Sequence, residues 1–259
     1  MSNKDYTTQL QAGLGMIEET MTLLGLWKPK MNTRELFQVA LDSGLFPSLS
    51  ARRLRNIVAE CFAPRYLTNS ITPASLLQPL SLMLNKTELI QLLFLYTCRA
   101  NSILADFMRV VFWPAYSSGR EQISNDEARA FVKESNQTGK MASHWSEGTI
   151  RRVGAYLTGI CSDFGLLESG SRSVRRIISQ SIHRTTTSFL AYDLHFAGLG
   201  DNQIISHSDW QLYGLERSDI IQELKGMSLE RLLIVQAAGE AIRISWFCKN
   251  WEEYIDAIS

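Results

Sequence analysis

The chain has 259 residues and a formal net charge of zero, since 26 lysines and arginines balance 26 aspartates and glutamates. Apolar residues make up 45% of it and charged residues 20%, which are ordinary values for a globular protein, so wholesale disorder is excluded. The length is near the upper limit for one core and favours two smaller domains. Residues 1–8 are polar with no apolar core behind them, and no apolar run would span a bilayer, so we expect a cytoplasmic protein without membrane contact.

The zero net charge hides a segregation along the chain. Residues 28–66 and residues 140–186 each hold seven positive and three negative charges, whereas residues 187–259 hold five positive and eleven negative. Two basic blocks in a neutral chain indicate an anionic partner, although solvated helix faces give the same pattern.

Helical periodicity dominates the first quarter of the chain. It predicts one helix over residues 9–26 and a second from about Thr33, a suitable N-cap, to the glycine turn at residues 42–44. A third helix is predicted after Ser50. Its apolar positions share one face and are Leu54, Ile57, Val58, Cys61 and Phe62.

The third predicted helix has a basic side near its start. At the angular spacing of an α-helix, Arg52 and Asn56 lie opposite the apolar face, while Arg53 and Arg55 flank it. A helix, a turn with glycine and a basic second helix are the layout of a helix-turn-helix, whose second helix enters the DNA major groove. Any helical hairpin with a basic surface would look similar, and this turn is unusually long. We expect these four residues to bind nucleic acid.

Residues 74–112 are strongly apolar and are predicted to form buried helices, the last of which stops before Pro114. Residues 115–125 are the predicted linker. The predicted domains are therefore residues 1–115, with the helix-turn-helix-like unit, and residues 116–259.

The second domain is predicted to open with a helix near Asp126 and to continue with a longer helix capped by Ser146. On this longer helix Arg152 lies opposite the apolar stripe and Arg151 lies beside it. We expect both arginines to contact nucleic acid.

A basic strand is predicted to follow the longer helix. The helix ends at Gly165, residues 169–171 form a turn, and a β-branched run comes next. A helix, a short strand, a glycine turn and a basic strand are the parts of a winged helix, whose wing would contact phosphates. Arg184 extends the same surface. The predicted wing arginines are Arg172, Arg175 and Arg176.

The tail is predicted to hold a helix over residues 218–225, then a β-hairpin, then a last helix over residues 250–258. The hairpin comprises a strand at residues 232–235, a turn at residues 237–240 and an alternating strand at residues 242–246. Its acidic surroundings favour a structural role or a protein contact over nucleic-acid binding.

Catalytic and metal-binding signatures are absent from the sequence. There is no phosphate-binding glycine loop, nucleophile elbow, zinc motif or EF-hand, and the four scattered cysteines indicate buried thiols. His207-Ser208-Asp209 holds the residue types of a catalytic triad side by side, but adjacent residues rarely converge on one atom, and Ser208 or Asp209 is predicted to cap the next helix. We expect no enzyme, no metal and no cofactor.

Five short segments together resemble the BrxA family of the bacterial BREX bacteriophage-exclusion systems. They are Tyr6-Thr7-Thr8, Ile17-Glu18-Glu19-Thr20, Leu104-Ala105-Asp106-Phe107, Trp145-Ser146 with Thr149 and Arg152, and Phe164-Gly165-Leu166-Leu167. The resemblance implies a helical, non-enzymatic DNA-binding component of a phage-defence system. The family has also been likened to NusB-type RNA-binding proteins.

The sequence thus predicts a mainly α protein of two helical domains with helix-turn-helix-like and winged-helix-like units and a small β-hairpin. The expected function is to bind duplex DNA, mainly through phosphates, with other BREX proteins as further partners. Two alternatives stay open. One is a protein–protein adaptor, suggested by the acidic tail and by exposed aromatic residues near Trp246 and Trp251, and the other is an RNA-binding module.

Overall fold

The first predicted helix forms as two pieces in the computed structural model. A 3₁₀ turn covers Gln9–Ala12 and helix α1 covers Ile17–Leu26, so the helix predicted over residues 9–26 is interrupted. The buried Arg65 side chain stabilises the interruption, because its guanidinium donates hydrogen bonds to the carbonyl oxygens of residues 13–15. The structure describes residues 5–68, 72–170, 172–178, 180–239 and 241–259.

The two helices of the predicted helix-turn-helix are present. Helix α2 covers Thr33–Asp42 and is capped by Asn32 rather than by Thr33, because the Asn32 side chain accepts from the backbone of the first turn. Helix α3 covers Ala51–Asn56 and is capped by Ser50, as predicted.

Helix α3 leads without a break into π-helical turns over Ile57–Phe62 and then into helix α4, Ala63–Tyr66. Pro64 stands second in α4. A proline ring clashes with the carbonyl four residues earlier in an α-helix, and the wider π turn leaves more room for the ring.

π-Helical turns also precede Pro114, so the prediction that a helix stops before this residue is wrong. Helix α5 covers Pro73–Met83 and helix α6 covers Lys86–Ala100. Helix α7 (Ser102–Phe107) continues through π-helical turns over Met108–Phe112 into helix α8 (Trp113–Ser117), where Pro114 is the second residue. The chain therefore stays helical across the proline.

A small antiparallel sheet lies in the region of the predicted linker and wing. Strand β1 covers Gln122–Ser124, helix α9 covers Asn125–Gln137, helix α10 covers Glu147–Asp163, and strand β2 covers Val174–Arg176. Strand β2 pairs with β1, which precedes both helices. The segment after α10 also pairs with the β2 region, through the antiparallel Leu167–Ile177 bridge and the backbone hydrogen bonds Glu168 N–Arg176 O and Ile178 N–Leu166 O. The predicted strand is present and contacts both β1 and the neighbouring segment, and the assignment as a winged helix stays a prediction. Ser171 of the predicted turn lies outside the described residues.

The carboxyl-terminal region contains the predicted hairpin between helices. Helix α11 covers Arg184–Phe196, helix α12 Asp201–Ile205, a 3₁₀ turn Trp210–Tyr213, and helix α13 Arg217–Gly226. Strands β3 (Leu233–Ala238) and β4 (Ala241–Trp246) pair in antiparallel register, and helix α14 (Trp251–Ala257) follows. Glu240 of the predicted turn lies outside the described residues. The mainly α fold class is thus confirmed.

Side chains from both sides of residue 115 contact each other. The Phe94 and Phe164 rings lie 5.2 Å apart, and Trp113 Nε1 donates a 2.8 Å hydrogen bond to the Leu212 carbonyl. These contacts fix the carboxyl-terminal helices against the amino-terminal ones. The division at residue 115 stays a prediction.

Candidate nucleic-acid interface

The basic side of helix α3 lies on the surface. Arg52, Arg55 and Asn56 are exposed, Arg53 is half-buried, and Leu54 points into the core. Arg52 and Arg55 are three residues apart and therefore neighbours on the helix surface. Among the described residues, no carboxylate forms an ion pair with either of these two arginines.

Arg34 is a basic residue next to this surface that the sequence argument left out. It is exposed in the first turn of α2 and lines the same surface groove as Arg55 of α3. Its charge was counted in the basic block of residues 28–66, but only the packing of α2 against α3 shows that it lies beside Arg55.

A second pair of exposed arginines stands near the start of α10. Arg151 and Arg152 face solvent, and the next residue, Val153, is buried. On the neighbouring helix α9, Arg129 and Lys133 both pair with Glu147, at 3.2 and 3.7 Å. The hydrogen bond from Arg129 and the charge of Lys133 lower the pKa of Glu147. These two α9 cations are therefore partly neutralised, in contrast to Arg151 and Arg152.

The predicted wing arginines have three different environments. Arg172 Nη1 lies 3.1 Å from the carboxylate of Glu168, and both side chains are largely exposed. Arg176 is exposed on β2, and no ion pair involves it among the described residues. Arg175 is half-buried, in contrast to the other two.

Arg175 is half-buried and hydrogen-bonded at the end of α10, and its expected contact with nucleic acid stays a prediction. Its Nη1 donates hydrogen bonds to Ser162 Oγ at 3.1 Å and to the Glu168 carbonyl at 2.9 Å. Its Nε is buried and has no hydrogen-bond partner. The alternation of a strand explains this arrangement, because Val174 and Arg176 face outward and the residue between them faces the end of α10.

Arg184 is the first residue of α11 and is exposed. The segment before it is held against α6 by the Gln91 side chain. Gln91 Nε2 donates to the Ser181 carbonyl and Gln91 Oε1 accepts from the His183 amide, both at 2.9 Å. These bonds fix the position of Arg184 relative to α6.

The loop at residues 13–15 forms hydrogen bonds with both of the helices that carry the exposed arginines. Arg65, in the last turn of the helix that starts with α3, donates to the Gly13 carbonyl at 2.9 Å. The Gly15 amide donates to Asp163 Oδ2 at 2.8 Å, at the end of α10. Both contacts lie at the ends opposite the arginines, so the expectation that the arginine groups share one face stays a prediction.

The His207-Ser208-Asp209 segment belongs to a network of ion pairs. The Asp209 carboxylate does not cap the following 3₁₀ turn, because it lies 2.8 Å from Arg99 Nε. Arg99 also binds Asp193 at 2.6 Å. The His207 Nδ1 accepts a hydrogen bond from the Asp209 backbone amide and lies 3.6 Å from the Asp209 carboxylate.

The described residues offer little else for chemistry. They contain no group of three histidine, cysteine or carboxylate side chains that could hold a metal ion. All four cysteines are buried and free, as predicted, and burial raises the pKa of the Cys98 and Cys161 thiols. No helix in the described part of the chain combines the length and the apolar character needed to cross a bilayer.

Comparisons with known proteins support one family. The model of the family described as BrxA matches residues 4–193 of this chain. No curated protein matches. Among solved structures, the chain is similar to the crystal structure of an uncharacterized protein from Magnetospirillum magneticum, with 13% identity and a TM-score of 0.60. That similarity covers 82% of this chain and 100% of the other and concerns the fold alone.

Proposed function

The chain belongs to the BrxA family, which implies a role in BREX phage defence, and we propose that it acts there as a non-enzymatic protein that binds duplex DNA. One observation carries the proposal: Arg52 and Arg55 are exposed side by side on α3 with no ion-paired carboxylate among the described residues. A guanidinium binds phosphate through two parallel hydrogen bonds, and a neighbouring carboxylate would compete for them.

The proposed mechanism is positioning on the phosphate backbone. Arg52, Arg55 and Asn56 contact DNA from α3, and Arg151 and Arg152 contact it from α10. In this proposal further phosphate contacts come from Arg53, Arg172, Arg175, Arg176 and Arg184. Each phosphate that is neutralised releases counterions, so affinity falls steeply with salt. The protein also contacts other BREX proteins in this proposal and needs no cofactor.

The salt dependence of binding tests the proposal. We expect the double variant Arg52→Ala, Arg55→Ala to reduce the slope of log affinity against log salt by about one to two units, measured on a short duplex by fluorescence anisotropy. An unchanged slope removes α3 from the interface. If structured RNA of equal length displaces the duplex, the protein is an RNA-binding module instead.

A gel shift at moderate salt separates DNA binding from the adaptor alternative, since an adaptor does not retard bare duplex. The aromatic residues that suggested an adaptor are less exposed than expected. Trp246 stacks on His195, with ring centroids 4.1 Å apart, and Trp251 packs on Phe189 at 5.0 Å. Both are half-buried, and the exposed aromatic residue nearby is Phe247.

A further inference from the structure

A surface groove runs between helices α2 and α3, and arginines stand on both of its sides. Arg34 lines it from α2 and Arg55 lines it from α3. Its remaining lining is apolar or neutral and consists of Thr33, Phe37 and Gln38 from α2 with Val58 and Ala59 from the π-helical turns. Within the described part of the chain, no carboxylate lines the groove.

The acidic residues of α2 are already engaged elsewhere. The Glu35 carboxylate accepts a 2.9 Å hydrogen bond from the Asn32 amide, and the Asp42 carboxylate accepts bonds of 2.9 and 3.0 Å from the Gln38 side chain. Neither is ion-paired with Arg34 or Arg55 in the described part of the chain. The two guanidinium groups are therefore available to an anion.

The cationic character of the groove comes from side chains and not from the helix end. The first-turn amides of Arg34 and Glu35 both donate to Asn32 Oδ1, at 2.9 and 3.0 Å. A capped helix start has few N–H groups left for an external anion. Removal of the Arg34 side chain therefore tests this side of the groove directly.

We propose that Arg34 and Arg55 bracket the phosphodiester backbone of one DNA strand, which lies along the groove between α2 and α3. This inference rests on the proposed function and adds a direct phosphate contact from α2, through Arg34, to the contacts from α3. In the helix-turn-helix pattern the second helix enters the major groove and the first helix crosses the backbone, whereas here one strand lies between the two helices. Paired guanidinium groups suit successive phosphates, and the apolar floor suits the sugar between them.

Four single variants and one double variant test the groove. They are Arg34→Ala, Arg34→Lys, Arg55→Ala, Arg243→Ala and the double variant Arg34→Ala, Arg55→Ala. Duplex affinity is measured by fluorescence anisotropy between about 50 and 200 mM salt. Both single alanine variants are expected to lower the log–log slope by about one unit, and the double variant by about two.

Arg34→Lys keeps the charge but not the planar fork, so it is expected to keep the slope and to bind more weakly. Arg243→Ala is the matched control, because Arg243 is an exposed arginine on β4, in the acidic part of the chain. It is expected to leave both slope and affinity unchanged.

The possible results separate this inference from the proposed function. If Arg34→Ala behaves like the Arg243→Ala control while the Arg52, Arg55 double variant loses slope, the protein binds DNA through α3 alone and the groove inference is wrong. If the wild-type chain does not bind duplex, both are wrong. Because Arg34 and Arg55 are exposed, unchanged urea unfolding midpoints will show that the variants are folded.

Discussion

The Tyr6 hydroxyl donates a 2.6 Å hydrogen bond to Asp106 Oδ2, which joins the start of the described chain to helix α7. Asp106 also lies 3.3 Å from Arg109 Nη1 and 3.6 Å from Lys140 Nζ. Burial, followed by the hydrogen bond to Asp106, raises the pKa of Tyr6, so its hydroxyl keeps its proton. Tyr6 and Asp106 belong to two segments that carry the family resemblance, and the structure gives these segments a role in stability.

We therefore expect Tyr6→Phe to lower the free energy of unfolding by about 1–2 kcal/mol, because a hydrogen bond to a charged acceptor is lost while Asp106 keeps its cations. Urea denaturation followed by circular dichroism measures the change. Tyr156→Phe is the control, since no hydrogen bond of the Tyr156 hydroxyl occurs among the described residues. Equal losses in both variants would contradict the role of the Tyr6–Asp106 bond.

Local patterns predicted the parts of the fold that depend on neighbouring residues. The α3 cap at Ser50 and the β3–β4 hairpin arise from contacts within a few residues, and the sequence showed both. The pairing of β1 with β2 escaped prediction because three-residue strands give almost no periodic signal and these two lie about 50 residues apart. Pro114 was misread as a helix end because π-helical turns leave no mark in a hydrophobic pattern.

The candidate site shows the same limit. The exposure of Arg52 follows from helical periodicity, and the structure matches it. The inward direction of Arg175 depends on Ser162 and Glu168, which only the folded chain brings near it. The position of Arg34 beside Arg55 depends on the packing of α2 against α3. Single-sequence reasoning finds charged helix faces but not the partners of individual charges.

Gly154 permits the close packing of α10 on α9. A β-carbon at this position would lie 2.9 Å from the Arg129 backbone nitrogen and 3.0 Å from its Cα, and backbone atoms cannot rotate away. We expect Gly154→Ala to destabilise the protein by about 1–3 kcal/mol through overpacking. A β-carbon at Gly25 in α1 would have no atom within 4 Å, so Gly25→Ala is expected to stabilise the protein by up to about 1 kcal/mol. Thermal unfolding of both variants checks the opposite signs, and a stabilised Gly154→Ala would contradict this packing.

Arg175 and Arg176 are adjacent and are expected to respond in opposite ways. Arg175→Ala removes two hydrogen bonds to the end of α10, so we expect a loss of about 1–3 kcal/mol in the free energy of unfolding. Arg176→Ala is expected to leave stability unchanged, because the side chain is exposed, and to reduce the salt slope of DNA binding by about one unit. Urea denaturation measures the stability of the two variants, and fluorescence anisotropy measures their DNA binding. Equal stability of both variants would contradict a structural role for the Arg175 side chain.

Two partly buried histidines are expected to make stability depend on pH. Burial lowers the pKa of His195, and burial together with the charges of Arg99 and Arg109 lowers the pKa of His207 against the opposing charge of Asp209. In the unfolded chain both rings return to an ordinary pKa of about 6.5. Below that pH the unfolded state binds more protons than the folded state, so acid favours unfolding.

The stability that these histidines contribute is present above about pH 6.5 and is lost as the pH falls toward the lowered folded pKa values. Carboxylates with lowered pKa values, such as Glu127, contribute in the same direction but only at more acidic pH, near and below the ordinary carboxylate range. We expect urea midpoints to fall between about pH 7 and pH 5, and His207→Asn to reduce that fall because it removes one titrating ring. A midpoint that stays constant or rises over this interval in the wild-type chain would show that neither histidine is held neutral by its surroundings.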